Sequence, residues 1–339
     1  IWTSIVITTQ QQILQLILEQ FNAKGYNPVV ACELEFYLLN KRKNISDAPT
    51  PLDGTPDAQN YDLEVLSRSE SLLRAIQTAS YIVGLPIDTM IAEFGPGQFE
   101  INLHHTEDVL AAADTAILFR RIVRGVAAKH NMEATFMAKP YANHPGNGMH
   151  LHASVLDEKG KNIFNSSDGK IAPNLRHAVA GVLNTMNEFQ AIFAPHLNSY
   201  RRFFLGGFAP CAPDWGIDNR NAGIRLPEIN GSSARLEHRI CGADVNPYLA
   251  FAAILAGILH GIEAKEEPPL PLEDKNAPPA VPLTTNWALS VENFATSDLA
   301  AKVFGKNYRD IYTTLRRDEI AQLTAEISPI EYKTYLSRL

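Results

Sequence analysis

Cysteine is scarce in this chain, which argues against a scaffold built on disulfide bonds. The 339 residues include three cysteines, Cys32, Cys211 and Cys241, and their spacing is not that of a metal site. Three cysteines without a pattern fit a reducing cytosol better than an oxidising compartment. We therefore expect a cytoplasmic protein.

Blocks of basic residues and long apolar runs are also missing. The net charge of −7, without blocks of Lys and Arg, argues against nucleic acid as the main partner. The most apolar stretch, residues 248–259, is too short to cross a bilayer and is followed by His260 and several charged residues. No signal peptide is recognisable. These features predict neither a nucleic-acid partner nor a membrane partner.

The usual glycine-rich nucleotide motifs are absent as well. The sequence contains neither the GxxxxGK[ST] phosphate loop nor the dinucleotide-binding glycine fingerprint. A bound nucleotide would therefore have to be held by arginines and metals. The chain is long enough to bury a large core, as one big domain or two smaller ones.

Four segments show the alternation of β-strands, with apolar residues on one face and mostly ionisable residues on the other. They are residues 30–39, 98–104, 149–155 and 235–240. Successive side chains of a strand point to opposite faces, so each segment gathers its polar residues on one side. That side carries Glu33, Glu35, Gln98, Glu100, His150, His152, Ser154, Arg235, Glu237 and Arg239. The opposite side carries Leu34, Phe36, Ile101, Leu151 and Leu236.

This polar face predicts a divalent metal site. Two carboxylates at i and i+2 lie only about 7 Å apart, and several of them on one surface require cations. Carboxylates with one or two imidazoles and no thiolate suit Mg²⁺ or Mn²⁺ better than structural zinc. The alternative is an antiparallel sheet with one face in water. Such a face normally mixes Lys and Thr with Glu, and the run from Glu33 to Glu35 has neither.

Helical periodicity appears between these strands. The spacing of apolar residues predicts helices over residues 11–23 and 70–83. Thr106 can cap a long helix that runs to about His130. The sequence therefore predicts helices that alternate with hairpin-like strands.

Two later helices carry clear start signals. Asn246 and Pro247 indicate an N-cap and a first-turn proline for a helix over residues 248–264. Ser328 and Glu331 form a capping box for the last helix. Both helices belong to the C-terminal third of the chain.

Two segments should be irregular. Residues 44–61 form a polar loop, and residues 268–282 contain six prolines, which predicts an extended surface connection. We expect a core over residues 1–267, a proline-rich connection over residues 268–285 and a C-terminal helical part of the same domain over residues 286–339.

Arginines are concentrated in one stretch of the chain. They are Arg201, Arg202, Arg220, Arg225, Arg235 and Arg239. Arginine is always charged and grips phosphate or carboxylate with two parallel hydrogen bonds. A surface arginine is often only a solvated charge, an alternative that applies to Arg201. Arg235 and Arg239 flank Glu237 on one strand face, and metals together with arginines indicate phosphoryl transfer.

Many of these residues form motifs in a familiar order. The motifs are Glu33-Leu-Glu35, Glu93 with Gly97-Gln98-Phe-Glu100, Lys139-Pro140, Gly146-Asn-Gly-Met-His150-Leu-His152, Asn198-Ser-Tyr, Asn219-Arg220, Ile224-Arg225-Leu-Pro and Glu237-His-Arg239 with Asn246-Pro-Tyr. They resemble the catalytic domain of glutamine synthetases over essentially the whole chain from about residue 10. The resemblance implies an α+β fold of the glutamine synthetase/guanido kinase-like class, in which helices back a curved, largely antiparallel sheet.

The resemblance also implies a metal set, with two to three Mg²⁺ or Mn²⁺ ions per site. Glu35, Glu93 and Glu100 would hold one ion. Glu33, His150 and Glu237 would hold a second ion that bridges the phosphates of ATP, the co-substrate.

The substrate contacts implied by the resemblance involve arginines above all. Arg220, Arg225 and Arg239 would clamp the γ-phosphate and the developing acyl phosphate. Arg202 and the Gly146 backbone would bind glutamate, together with Glu35 and His150. His152, Ser154, Arg225 and Arg235 would border ATP. Metals and arginines would neutralise the transferring phosphoryl group, so that an amine can displace phosphate from a γ-glutamyl phosphate.

Three departures from the family pattern matter. The ammonia-using enzymes carry a flap glutamate just before Ala-Pro, which helps to bind and deprotonate ammonium, whereas this chain has Phe208 there. Pro145 replaces an asparagine that usually precedes the glycine at position 146. The family's small N-terminal β-grasp domain is absent from this chain. Since that domain completes the neighbouring subunit's active site in rings, most often dodecamers, we expect weak activity from the chain alone.

The first two departures favour one branch of the family. Together with His238 and the run at residues 243–248, they resemble the enzymes that make γ-glutamyl amides of polyamines. The predicted function is therefore an ATP-dependent ligase that joins the γ-carboxylate of glutamate to a small amine in a homo-oligomer. The alternatives are a glutamine synthetase that uses ammonia, and a non-catalytic structural or regulatory homologue.

Overall fold

One eight-stranded sheet organises the molecule. The computed structural model describes residues 9–52, 61–166, 169–204 and 207–338. The strands are β1 (Tyr26–Asn40), β2 (Ile87–Ala92), β3 (Gln98–Leu103), β4 (Met132–Thr135), β5 (Met149–Asp157), β6 (Trp215–Ile217), β7 (Ile224–Glu228) and β8 (Arg235–His238). Their order is β2-β3-β1-β5-β8-β7-β6, and β4 pairs with one end of β1. The β6–β7 pair is parallel and the other described pairs are antiparallel, as the predicted fold class requires.

Helices precede, interrupt and follow the strands. They are α1 (Gln10–Asn22), α2 (Leu63–Arg68), α3 (Glu70–Ile82), α4 (Val109–Lys129), α5 (Pro173–Thr185), α6 (Gln190–Phe193), α7 (Pro247–Ala264), α8 (Trp287–Thr296), α9 (Asp298–Phe304), α10 (Lys306–Ala325) and α11 (Pro329–Tyr335), with a 3-10 helix at Leu197–Arg202. Helices α1, α4, α5 and α7 pack together with β1 to form much of the core.

The predicted alternation of the long strands is confirmed. Leu34, Phe36, Ile101, Leu151 and Leu236 are all buried in the core. The strand predicted over residues 235–240 was two residues too long, because Arg239 leaves the β8 ladder and its backbone N–H bonds to the carbonyl of Gly223 at 3.0 Å. The short strands β2, β4, β6 and β7 were not predicted.

Two predicted helix starts are confirmed and one was wrong. The side chain of Asn246 caps α7, and Ser328 and Glu331 form the capping box of α11. Helix α4 is capped by Asp108, whose Oδ1 accepts from the N–H of Ala111 at 2.9 Å. Thr106 cannot serve as its cap because its backbone already pairs with Val30 of β1.

Helix α7 is the most apolar element of the core. The apolar stretch of residues 248–259 lies within this longer helix of 18 residues, which is long and apolar enough to cross a membrane by length and composition alone. Its 18-residue window is 72% buried inside the fold, as expected for a core helix. It approaches α5 so closely that a Cβ on Gly181 would lie 2.1 Å from the carbonyl oxygen of Gly257. Glycine at these positions lets the two backbones touch.

The proline-rich connection runs along the edge of the sheet. Its Pro269 carbonyl accepts from the indole N–H of Trp215 at 2.7 Å, and the N–H of Leu272 bonds to the Trp215 carbonyl at 2.9 Å. No helix or strand is present over residues 268–282, as predicted. In the predicted loop at 44–61, residues 53–60 lie outside the described residues.

Candidate active site

Strand register gathers the predicted ligands on the face of the sheet opposite the core. Glu35 of β1 lies opposite Glu100 of β3, and Glu33 lies opposite His150 of β5. Glu237 of β8 lies opposite His152. Directly opposed residues of neighbouring strands share one face and interact. The alternation visible in the sequence therefore becomes one polar surface across four adjacent strands.

Glu33 occupies the centre of this surface. Its Oε2 lies 3.0 Å from Nδ1 of His150, and its Oε1 lies 3.0 Å from Nε2 of His152. Two compact sets have ligand atoms within 4.8 Å of one another: Glu33, Glu100 and His150, and Glu33, His152 and Glu237. Glu33 is common to both sets.

Glu35 and Glu93 lie beside these sets. Oε2 of Glu35 accepts from the N–H of Gly148 at 2.7 Å, and its Oε1 lies 4.0 Å from Nε2 of His150. Glu93 follows β2 and interacts electrostatically with Glu35. The six predicted ligands therefore share one site, but the compact sets differ from the predicted division. Among the described residues, His152 joins a compact set, whereas Glu35 and Glu93 do not.

Burial and neighbouring charges shift the pKa values of the carboxylates in this site. Burial disfavours the ionised form of Glu33. Hydrogen bonds from His150 and His152 outweigh this effect of burial and hold the pKa of Glu33 well below the usual range. Burial, reinforced by the nearby Glu35, raises the pKa of Glu93 to about 7. Burial and the charges of Glu33 and Glu35 also raise the pKa of Glu100. A divalent cation would relieve this repulsion, and the oxygen-rich donor set with imidazole fits Mg²⁺ or Mn²⁺.

We expect the metal-free protein to lose stability as the pH rises from about 5 to about 7.5. The pKa of Glu93 is about 7 in the folded protein and near that of a free carboxyl in the unfolded chain, so the folded state binds more protons in this window. The free energy of unfolding then falls by about 1 to 3 kcal/mol as the pH rises through this window. Urea unfolding in EDTA at several pH values should show this slope, which Glu93→Gln should reduce and which Glu100, whose pKa is also raised, should maintain in part. Glu158→Gln, at an exposed turn, should leave the slope unchanged; a flat profile for the unmodified protein would contradict the raised pKa.

Arginines surround the buried carboxylate of Glu237. Nη1 of Arg225 donates to Oε2 of Glu237 at 2.9 Å, and Nη1 of Arg239 donates to Oε1. Burial alone would raise the pKa of Glu237, but Arg239, His150 and His152 lower it. Glu237 is therefore ionised and links the predicted metal ligands to the predicted phosphate clamp.

Arg220 completes this group of arginines. Its carbonyl accepts from Nε of Arg239 at 3.2 Å, and its Nη1 donates to the hydroxyl of Tyr61 at 2.9 Å. Arg225 is held from its other side by Asp218, whose Oδ1 accepts from Nε at 3.1 Å. Two of the three predicted catalytic arginines thus contact Glu237, and Arg220 contacts Arg239 through its backbone carbonyl.

Arg202 and Gly146 form the part of the site that is predicted to bind the substrate glutamate, which we call the glutamate end. Arg202 is buried and donates from Nη1 to the carbonyl of Ile240 at 2.8 Å, and burial lowers its pKa. A Cβ on Gly146 would lie 2.5 Å from the carbonyl of Ala138 and 2.8 Å from Cγ of Arg202. Only glycine fits there, which explains its place in the motif. Nε2 of Gln98 donates to the Gly146 carbonyl at 3.0 Å and steadies this loop.

Three of the four predicted ATP contacts line a cavity beside the carboxylates, whereas Arg225 does not. His152, Ser154 and Arg235 border a cavity of about 660 Å³ that also reaches Glu33. Nε of Arg235 lies 3.3 Å from Nδ1 of His152. The cavity is large enough for a nucleotide, and it opens onto the carboxylate surface at Glu33.

Phe208 packs against a second aromatic ring. The Phe208 side chain is 63% exposed, and its ring centroid lies 4.8 Å from that of Phe94. Phe94 directly follows Glu93 in the chain. An apolar pair therefore stands where the ammonia-using enzymes are expected to place a proton acceptor.

Sequence reasoning missed three contacts of this site. Tyr61 and Asp218 hold Arg220 and Arg225, and Phe94 supports Phe208. Tyr61 and Asp218 are non-glycine residues with positive φ, of 64° and 49°. Such conformations often occur at functional sites, but the sequence carries no local signal for them.

Comparison with known proteins agrees with this geometry. A family model described as the catalytic domain of glutamine synthetase matches residues 9–335. γ-Glutamylputrescine synthetase PuuA of Escherichia coli K12 is 36% identical over 337 residues, which cover 96% of this chain and 71% of that protein. γ-Glutamylethanolamide synthetase GlnA4 of Streptomyces coelicolor is also 36% identical, over 98% of this chain and 72% of that protein.

A solved structure shares the fold of this chain. The GmaS/ADP complex superimposes with a TM-score of 0.86 at 26% identity, and the match covers 97% of this chain and 77% of that one. Since the family model spans nearly the whole chain and relatives exceed 30% identity, the chain belongs to the glutamine synthetase family.

Proposed function

We propose that this chain is an ATP-dependent ligase that joins the γ-carboxylate of glutamate to a primary amine. The observation that carries the proposal is the single surface on which Glu33, His150 and Glu237 meet Arg225 and Arg239. Metal ligands beside fixed guanidiniums suit phosphoryl transfer, which depends on positioning and charge neutralisation. The similarity to γ-glutamyl-amide synthetases supports this reaction class.

Each group of residues has a role in this proposal. Glu33, Glu35, Glu93, Glu100, His150 and Glu237 would hold Mg²⁺ or Mn²⁺, with His152 as a further donor. The bound cations would supply charge neutralisation at the ATP phosphates. Arg220, Arg225 and Arg239 stabilise the transferring phosphoryl group, and Arg202 fixes the α-carboxylate of glutamate. His152, Ser154 and Arg235 border ATP.

Phe208 directs the choice of nucleophile. An aromatic ring accepts no proton, so ammonium would find no base at this position. A primary amine with a hydrocarbon stem can bind instead by packing on the Phe94–Phe208 pair. If a distal ammonium of a diamine meets a ring face, the contact adds roughly 0.5 to 2 kcal/mol. Alkylamines and diamines such as putrescine fit these requirements.

We expect kcat/KM for a primary alkylamine or diamine to exceed that for ammonia by at least about tenfold, which corresponds to ~1.4 kcal/mol. The measurement is release of phosphate from ATP with glutamate and a panel of amines, with ammonia at matched concentrations of free base. Product analysis for the γ-glutamyl amide separates ligation from uncoupled hydrolysis. The assay uses a full-length form of the protein. Equal or faster turnover with ammonia would instead indicate a glutamine synthetase, and no turnover with any amine would favour a non-catalytic homologue.

A further inference from the structure

A second large cavity lies beside the glutamate end of the site. It has a volume of about 1020 Å³, comparable to metabolite sites. Arg120, Arg121 and Arg124 of α4 line it, together with His196, Asn198 and Asp244. The proposed ligase reaction uses none of these side chains.

This cavity has an excess of positive charge. In the described part of the chain, Arg120, Arg121 and Arg124 form no ion pair. Asp244 is the one carboxylate among the described lining residues. His196 is already 3.4 Å from a carboxylate oxygen of Glu319. Three arginines that share one carboxylate leave an excess of positive charge in a chain with a net charge of −7, and this excess favours an anionic ligand.

Two of the three guanidiniums are held in place before any ligand binds. Those of Arg120 and Arg124 lie 5.9 and 5.4 Å from the ring centroid of Phe136. Nη1 of Arg120 also donates to the carbonyl of Val245 at 2.8 Å. Nε of Arg120 and Oδ1 of Asp244 are buried without a hydrogen-bond partner among the described residues. Buried polar atoms are nearly always satisfied, so the unpaired donor Nε of Arg120 indicates a missing acceptor, which an anion would supply.

Asp244 connects this cavity to the glutamate end. Its charge acts on both Arg120 and Arg202. A Cβ on Gly242 would lie 2.4 Å from Oδ1 of Asp244 and 3.5 Å from Nη1 of Arg202, so carboxylate and guanidinium are near neighbours. Oδ2 of Asp244 accepts from the hydroxyl of Ser199 at 2.6 Å. The carboxylate of Asp244 therefore interacts electrostatically with an arginine of each site.

We propose that this cavity binds a small polyanion through Arg120, Arg121 and Arg124, and that the bound anion weakens glutamate binding. The ligand carries two or more carboxylates, or a phosphate group. It replaces Asp244 as the counter-charge of Arg120, and Asp244 then draws Arg202 away from the α-carboxylate of glutamate. This effect on glutamate rests on the proposed function; the binding of the anion does not.

The test is calorimetric titration of the metal-free protein with citrate and, separately, with inorganic phosphate, at constant ionic strength. Without metal, Glu237 occupies Arg225 and Arg239, so the active site has little affinity for anions. We expect Arg121→Gln/Arg124→Gln to weaken binding of at least one probe by about tenfold or more. Lys275→Gln/Lys302→Gln removes two exposed charges elsewhere and should bind as the unmodified protein does. If the first double variant does not fold, Arg121→Gln alone should weaken binding at least threefold.

The two probes distinguish a polycarboxylate ligand from a phosphate ligand. Equal binding by all variants, or no binding of either probe at 10 mM, would overturn the site. A change of oligomer size in the double variant without any anion effect would instead make this face an interface between copies. In assays of ligation, the bound anion should raise KM for glutamate about threefold or more in the unmodified protein and not in the double variant. Loss of that effect alone would refute the coupling through Asp244, while absence of ligation would refute the proposed function and leave the titration valid.

Discussion

Replacing Glu33 by glutamine should lower kcat by at least about 10³-fold, the scale expected when charge stabilisation of a phosphoryl group is lost. Glu33 belongs to both compact ligand sets, so one substitution weakens both predicted cation positions. It also replaces one of the two carboxylate oxygens that lie 3.0 Å from ring nitrogens of His150 and His152. The rise in Tm that Mn²⁺ produces in the unmodified protein should largely disappear, because weaker binding of the cation to the folded state reduces the stabilisation that it provides.

A carboxylate elsewhere in the same sheet provides the control for this change. Glu133 lies on β4 and pairs with Arg42, with Nε and Oε2 2.9 Å apart. Glu133→Gln should retain both activity and the response to Mn²⁺. If Glu33→Gln kept a normal Mn²⁺ shift and activity within tenfold, the metal site would have to lie elsewhere.

Replacing Phe208 by glutamate should redirect the enzyme towards ammonia. The new carboxylate would attract ammonium and accept its proton, and a positioned general base contributes about 10²- to 10⁴-fold. It would also disrupt the apolar contact with Phe94, which the alkylamine stem needs. The ratio of kcat/KM for alkylamine to that for ammonia should therefore fall by about 10²-fold.

Phe208→Leu separates the two effects of this substitution. Leucine keeps an apolar surface and supplies no base, so the enzyme should still prefer alkylamine. A glutamate variant with an unchanged amine ratio would show that position 208 does not contact the nucleophile. The position is well exposed, so neither variant should unfold the protein.

Much of the site could be predicted because it is a property of long strands. Glu33, Glu100, His150 and Glu237 follow a period of two, and burial of Leu34 and Leu151 fixes the register that brings them together. A shift by one residue would have moved every ligand into the core. The polar face was therefore readable from the sequence alone.

Contacts between distant segments could not be read in the same way. Strand β7, which carries Arg225, has five residues and exists through its pairing with β6 and β8. The cap of α4 shifted to Asp108 because β1 uses the backbone of Thr106. The placement of His152 beside Glu33 and Glu237 likewise depends on three strands at once. Local propensity does not determine these features, because they depend on contacts with segments that are distant in the sequence.

Helix α7 has a consequence for the order of events during synthesis. Its closest helix partners, α1, α4 and α5, all precede it in the chain. When this apolar helix leaves the ribosome, the surfaces that cover it have therefore already been made. Since newly made segments begin to fold from the N-terminus, the period in which α7 could aggregate is short. A permuted chain that starts at α7 would reverse this order, and its yield of soluble protein should suffer even where its final fold is unchanged.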